Sequence, residues 1–326
     1  PKMRYAAVAA SPALGGKLVS VDDRAALALP GVRQVVRIDN AVAVIGDNSW
    51  AAKQGLAALK IVWDEGPAAS VSTAGIRKRL EGGLARQDAA VARAQGDADA
   101  VLRGAAKRLT ATYHSPFLAH AAMEPINCTV DLRADGCDVW VGTQSPTRAR
   151  DVAVRASGLT ADKVRIHNHL IGGGFGRRLE ADYVEQSVAL SRNVQGPVQF
   201  IWSREEDIQH DILRPAYVDQ FSAAIDAQGR PTAITHRVVG SSIMARVAPG
   251  AFRNGLDHDA VEAGLGPYEW PASRLDYVRE EPAAGMVTGR KSVELAREHD
   301  ATAVAADAHV GAVVGIGDAG SLCAIR

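Results

Sequence analysis

Residues 171–178 read Ile-Gly-Gly-Gly-Phe-Gly-Arg-Arg, and this run sits where one side-chain periodicity gives way to another. Upstream, residues 163–171 alternate. Val164, Ile166 and Leu170 fall on one face and Arg165, His167 and His169 on the other, the period of a half-buried strand. Downstream, residues 177–194 place apolar pairs four apart (Leu179/Tyr183, Val184/Val188, Leu190/Val194). Asp182, Glu185, Gln186 and Arg192 lie opposite, the period of a helix. A strand that passes into a helix through closely spaced glycines commits this part of the chain to mixed α/β layers.

The flanking segments extend the pattern. Residues 138–144 read as a strand. Pro146 then opens a helix with Ala149, Val152 and Ala156 spaced i, i+3, i+7, and Gly158 closes it. Gln195-Gly196-Pro197 ends the second helix and residues 198–203 form the next strand. The expected order is β-α-β-α-β, with the glycine loop at a strand-to-helix junction.

Closer to the N-terminus, residues 33–38 and 41–46 are β-branched runs joined at Asp39-Asn40, a hairpin. An Ala-rich helix follows, capped by Asn48 or Ser49, and leads into a strand at 60–63. Residues 81–100, rich in Ala, Gly, Gln, Arg and Asp, are expected to be helical surface or linker. Residues 217–240 read as a long hairpin turning at 226–229.

Composition narrows the function classes. Lys plus Arg equals Asp plus Glu at 37 each, so no global field favours nucleic acid or an anionic membrane. Cys128, Cys137 and Cys323 are too few and too scattered for a disulfide framework or a CxxC metal site. His167 and His169 share a strand face, but no further ligand follows at a metal-binding spacing, and no GxSxG elbow occurs. No apolar run approaches the roughly 20 residues needed to span a bilayer. The first residues carry no basic and apolar leader pattern and no initiator Met, so the chain is expected to be a fragment. Its compartment, cytoplasm or periplasm, stays open.

Unpaired amides and the positive end of a helix dipole make the glycine loop a candidate anion site, and Arg177 and Arg178 would add two guanidinium forks suited to phosphate. The dinucleotide fingerprint fails: Gly172 and Gly174 fit its first two positions, but Arg177 stands at the third. A phosphate-binding GK[ST] is also missing. Two readings stay open, tight strand–helix packing or a ligand cradle. Phe175 favours a pocket for a flat substrate.

Four segments carry a resemblance: residues 117–130 (FLAHAAMEPINCTV), 139–146 (VWVGTQSP), 171–186 (IGGGFGRRLEADYVEQ) and 202–216 (WSREEDIQHDILRPA). Together they resemble the molybdenum-binding large subunit of the xanthine dehydrogenase and aldehyde oxidoreductase family, in its isoquinoline 1-oxidoreductase β-subunit branch. The resemblance implies an α+β (mixed α/β) fold. Residues 1–64 would be part of a hammerhead-like α/β domain and 65–104 a linker or helical surface segment. Residues 105–285 would be an incomplete first molybdopterin-binding domain.

It further implies a molybdopterin cofactor in its cytosine dinucleotide form, with molybdenum held by the pterin dithiolene and by no protein ligand. [2Fe-2S] clusters would lie on a small partner subunit, and the substrate would be an aldehyde or N-heteroaromatic molecule hydroxylated with oxygen from water. Gly172, Gly173, Gly174, Phe175 and Gly176 would lie against the cofactor, with Phe175 walling the substrate pocket and Arg177 and Arg178 meeting cofactor phosphates. Met123 and Glu124 stand where some relatives place a Gln, though Met123 cannot donate a hydrogen bond. Gln144 either shapes the same pocket or is a satisfied polar residue at a strand end.

The family's general base, a glutamate in a Gly-Val-Gly-Glu segment, is absent, so no catalytic residue is assigned and the fragment is expected to be inactive alone. Residues 286–326 match nothing in the family pattern and are expected to be a frameshifted or fused tail. Asp318, in GIGDAG, is read there as a coincidental echo of the catalytic segment. The competing reading is a non-catalytic module that binds a nucleotide or a partner.

Overall fold

The structure is a computed structural model and describes residues 3–281. The tail at 286–326, with Cys323 and Asp318, lies outside the described residues. The strands, in chain order, are β1 (Arg4–Ala10), β2 (Lys17–Asp22), β3 (Val32–Ile38), β4 (Ala41–Gly46), β5 (Lys60–Asp64), β6 (Ala90–Gln95) and β7 (Lys107–Ser115). They continue with β8 (Asn127–Leu132), β9 (Cys137–Val141), β10 (Val164–Asn168), β11 (Val198–Ile201), β12 (Tyr217–Ile225), β13 (Pro231–Gly240) and β14 (Ala272–Arg279). The mixed α and β content is that expected of the sequence.

Two compact units form. One contains residues 3–71 and 118–214, the other 72–117 and 215–281. In the first, seven strands run β10-β9-β8-β11-β1-β4-β3. β1 lies between β4, antiparallel, and β11, parallel. Strand pairing therefore joins the N-terminal segment to residues 118–214 in one sheet, so the segments expected as successive domains (1–64, 65–104, 105–285) are interleaved in space. Backbone groups along β1 need partners on both edges, and β11 supplies one set.

The core of this unit follows from β-branched strands under two helices. Val130, Val139, Val141 and Phe200 are buried with Val184, Val188 and Leu190 of the helix Asp182–Ser191 and Ala149 and Ala153 of the helix Pro146–Ser157. The latter helix starts on its proline and ends on Gly158 in the left-handed conformation, as the sequence predicts. The helix Ser49–Ala57 is capped by Asn48, whose side chain accepts from the Ala51 amide at 2.8 Å. Gly55 has no room for a β-carbon beside Val44 and Val32, so that helix lies close on β3 and β4.

In the second unit five strands run β6-β14-β13-β12-β7. The expected hairpin is present as β12 and β13, its turn held by Asp226, which accepts from the Gln228 and Arg230 amides. Residues 81–100 depart from expectation. They supply the end of the helix Thr73–Gly83, the edge strand β6 and the start of the helix Ala98–Gly104. Pairing with β14 overrides the weak local β-propensity of this Ala-rich stretch.

Candidate functional site

β10 ends at Asn168, earlier than the alternation implied, and Leu170 is 95% exposed. The helix expected from 177 begins at Asp182. Residues Arg177–Leu179 form a separate 3-10 turn, and Glu180 returns to extended backbone. The glycine loop thus crosses from strand to helix through a turn of its own.

Its underside is made by Arg178, which is fully buried. Nε donates to the Gly173 carbonyl at 3.0 Å and Nη1 to the Gly142 carbonyl at 3.1 Å. Nη2 donates to the Glu124 carbonyl at 3.0 Å and to Glu124 Oε2 at 2.8 Å. Glu124 Oε2 also accepts from the Gly172 amide at 2.8 Å, and the Glu124 amide donates to the Gly172 carbonyl at 3.0 Å. Burial opposes ionisation of Glu124. The hydrogen bonds from Gly172 and Asn127, with the charge of Arg178, outweigh it and hold the carboxyl below its ordinary range. Gln144 fastens the other end, Oε1 accepting from the Gly176 amide at 3.2 Å.

This geometry accounts for two features of the loop. First, a β-carbon at Gly172 would lie 2.4 Å from Glu124 Cβ, and one at Gly174 would lie 2.5 Å from Gln144 Oε1. Those glycines are needed for close packing against the two clamping side chains. Second, the guanidinium groups of Arg177 and Arg178 are engaged by protein groups. Arg177 Nη1 and Nη2 donate to the Asp182 carboxylate at 2.7 and 2.9 Å. Arg177 Nε stands 3.1 Å from Asp211 Oδ1, out of line for a hydrogen bond. Burial disfavours the Arg177 cation, but Asp182 and Asp211 more than compensate and raise its pKa.

The crest of the loop is built differently. The amides of Gly173, Gly174 and Phe175 donate to no acceptor among the described residues, although Gly174 is buried. Phe175 has φ +53°, a conformation that costs a bulky residue about 1–3 kcal/mol. Its ring is nonetheless 60% exposed, and its carbonyl accepts from Arg214 Nη2 at 3.1 Å. Successive amides around left-handed residues, here Gly173 at +101°, Phe175 and Gly176 at +103°, make a concavity suited to an electron-rich group. Unpaired amides beside a strained, outward-facing ring fit a ligand resting on this crest.

Met123 is 86% exposed, and its carbonyl accepts from Arg204 Nη2 at 2.6 Å. Sequence reasoning assigned no role to His120, Asp211, Arg204 or Arg214. The available signal was the set of charged residues scattered through the motif segments 117–130 and 202–216. His167 pairs with Asp138 at 2.8 Å and stacks on Trp140, while His169 Nδ1 lies 2.8 Å from the Leu170 carbonyl. No group of three or more His, Cys, Asp or Glu side chains able to hold a metal occurs among the described residues. Burial pushes the Cys128 thiol up to about 12 and the Cys137 thiol up to about 11. No helix among the described residues is long and apolar enough to cross a membrane.

A strand-to-helix loop that offers bare amides and an aromatic ring, set in a mixed α/β layer, is suited to hold a ligand. Residues 84–279 match the molybdopterin cofactor-binding domain family, and the chain belongs to it. The chain is 31% identical over 308 residues to the isoquinoline 1-oxidoreductase subunit beta of Brevundimonas diminuta, covering 90% of this chain and 38% of that protein. It is 27% identical over 260 residues to the aldehyde oxidoreductase molybdenum-binding subunit PaoC of Escherichia coli (strain K12), covering 72% of this chain and 35% of that one. The chain thus spans well under half the length of these relatives. Its fold is that of quinoline 2-oxidoreductase from Pseudomonas putida 86, with a TM-score of 0.60, 17% identity, and coverage of 88% of this chain and 42% of that one.

Proposed function

We propose that this chain provides the molybdopterin-facing loop of an oxidoreductase that hydroxylates aldehydes or N-heteroaromatic compounds with oxygen from water. The observation that carries this reading is the run of unpaired amides at Gly173, Gly174 and Phe175 beside an exposed phenyl ring in a left-handed conformation. When bound, molybdopterin supplies molybdenum and its two-electron redox chemistry. The chain's own residues bind and orient. The crest amides donate to electron-rich atoms of the cofactor, and the Phe175 ring supplies a flat apolar wall for the substrate. Glu124, Gln144 and Arg178 hold the crest in place from beneath. Met123 and Glu124 flank the same loop, and Gln144 contributes by fixing Gly176.

In the same proposal the cofactor takes the cytosine dinucleotide form. A small partner subunit would carry [2Fe-2S] clusters as electron acceptors; the names of relatives described as β or molybdenum-binding subunits support only the presence of a further subunit. Metal and pterin analysis of the chain purified from a molybdopterin-producing host tests the reading. Stoichiometric molybdenum and pterin are expected, with both reduced at least tenfold in Gly174→Asp, which puts a carboxylate among the amides. Protein that carries nucleotide without metal would instead support a non-catalytic binding module.

A further inference from the structure

The five-stranded sheet ends on a strand that is fully formed and yet covered by nothing among the described residues. β7 runs nine residues, Lys107–Ser115, and pairs with β12 along one edge only. All of its residues except His114 are exposed. Its ladder with β12 carries no register shift, so the free edge presents a regular row of backbone donors and acceptors. The other sheet edges are blunted. β3 and β6 each pair across a register shift, as do β2 and β5, and β10 is only five residues long.

Side chains on β7 are sorted by face. Register puts Leu109, Ala111 and Tyr113 on the face that carries Phe221 of β12. Leu109 is 54% and Tyr113 57% exposed, and the Tyr113 ring meets Phe221 edge-on at 5.8 Å. Phe221 in turn stacks on His236 at 3.9 Å, so the phenol rests on a fixed platform. On the opposite face Thr110 Oγ1 lies 3.1 Å from Ser222 Oγ, and Thr112 Oγ1 accepts from Gln220 Nε2 at 3.2 Å.

This order of residues is complementary to itself. A second β7 laid antiparallel, with Ala111 opposite its own counterpart, sets Leu109 against Tyr113 on the apolar face and Thr110 against Thr112 on the polar one. Aliphatic–aromatic and Thr–Thr neighbours are favourable cross-strand pairs. Lys107 and Arg108 fall at opposite ends of the joint ladder, so like charges never face each other. Arg108 meets His114 of the second copy, whose Nε2 lies 3.0 Å from Glu81 Oε1, a carboxylate beside the incoming guanidinium. Centring the pair on Thr110 or Thr112 instead breaks the Leu109–Tyr113 match.

We propose that β7 is an association edge for a second copy of this chain: two copies join through antiparallel β7 strands centred on Ala111, making one continuous sheet from both. The inference is independent of the cofactor reading above. A single strand pair is a small interface, so the association is reversible on dilution.

Sedimentation velocity on the full chain over a dilution series tests it, with a charge swap at the two-fold centre. The unsubstituted chain is expected to move from monomer to dimer as concentration rises. Ala111 is exposed, so Ala111→Lys and Ala111→Glu are expected to unfold at the parent's temperature. Each alone sets like charges opposite one another and is expected to weaken the dimer roughly fivefold or more. An equimolar mixture of the two is expected to restore it, because lysine then faces glutamate. In the unsubstituted chain, alternate amides of residues 107–115 are expected to exchange hydrogen more slowly as the dimer forms.

A chain that stays monomeric up to about 1 mM would overturn the inference. So would a dimer that both variants form as well as the parent, or one that the mixture fails to restore. Exchange in β7 that does not change with concentration would also overturn it, and that result does not depend on any variant folding. None of these outcomes touches the molybdenum and pterin content on which the cofactor reading stands.

Discussion

Two arginines are set into the two units in similar ways and yet serve different ends. In the five-stranded sheet, Arg237 meets Asp276 through Nε and Nη2 at 2.7 and 2.9 Å, and its Nη1 donates to the carbonyls of Leu84 and Arg86. Beneath the glycine loop, Arg178 meets Glu124 and three carbonyls. Each guanidinium spends its donors on an acid and on carbonyls that regular structure leaves unpaired. Around Arg237 each nitrogen of the guanidinium has a partner among the described residues. Above Arg178 three amides and a strained ring remain. An arginine bonded to an acid and to loop carbonyls therefore marks a braced loop, and function is read from what the brace leaves unsatisfied.

The largest way to break the comparison is to remove each cation. Arg178→Met and Arg237→Met each strip donors from a carboxylate and from two or more carbonyls, and each is expected to cost about 3–5 kcal/mol in urea denaturation. Only Arg178→Met is expected to lower molybdopterin content in the protein that remains folded. Equal cofactor loss in both variants would erase the distinction. Next in size, Gly172→Ala forces a β-carbon onto Glu124 Cβ and is expected to cost about 1–3 kcal/mol by the same measurement.

Phe175→Gly should move stability the other way. It relieves the left-handed strain, partly offset by the greater freedom of an unfolded glycine, and a gain of up to about 1 kcal/mol is expected with substrate binding weakened. A loss of stability would show that the ring is a structural contact. The smallest effect is with pH. The folded carboxyl of Glu124 is held below its unfolded range of about 4.3, so its contribution is present above that pH and fades as pH falls through the lowered value. Glu124→Gln should flatten this acid limb in a pH series of denaturation midpoints. His210 runs opposite. Burial opposes its cation, but Glu206 raises its pKa, so its contribution is present below about 6.5 and is lost as pH rises through the raised value.

Much of the site's position was legible from the chain. Alternation in 163–168, the glycines, and the apolar periodicity of 184–190 fix a loop between strand and helix. Local spacing suffices there because side-chain period is set by backbone geometry within a few residues. The role of Arg177 and Arg178 was not legible. Beside glycines at a helix start they resemble phosphate ligands, and their bonds to Asp182 and Glu124, with Asp211 close by, come from acids that local spacing does not point to. The pairing of His120 with Asp211 was invisible for the same reason, since the carboxylate lies 91 residues away in sequence.

The sequence by itself determined the strand and helix periods, the cap at Asn48, the turns at Asp39-Asn40 and Asp226, and a family likeness carried by short motifs. These depend on interactions within a few residues. Tertiary structure alone decided that β1 joins β4 to β11, that residues 90–95 form an edge strand, and which donors around the loop remain free. Those outcomes turn on which distant groups arrive to satisfy a backbone amide or a charge, and a linear pattern carries no record of that.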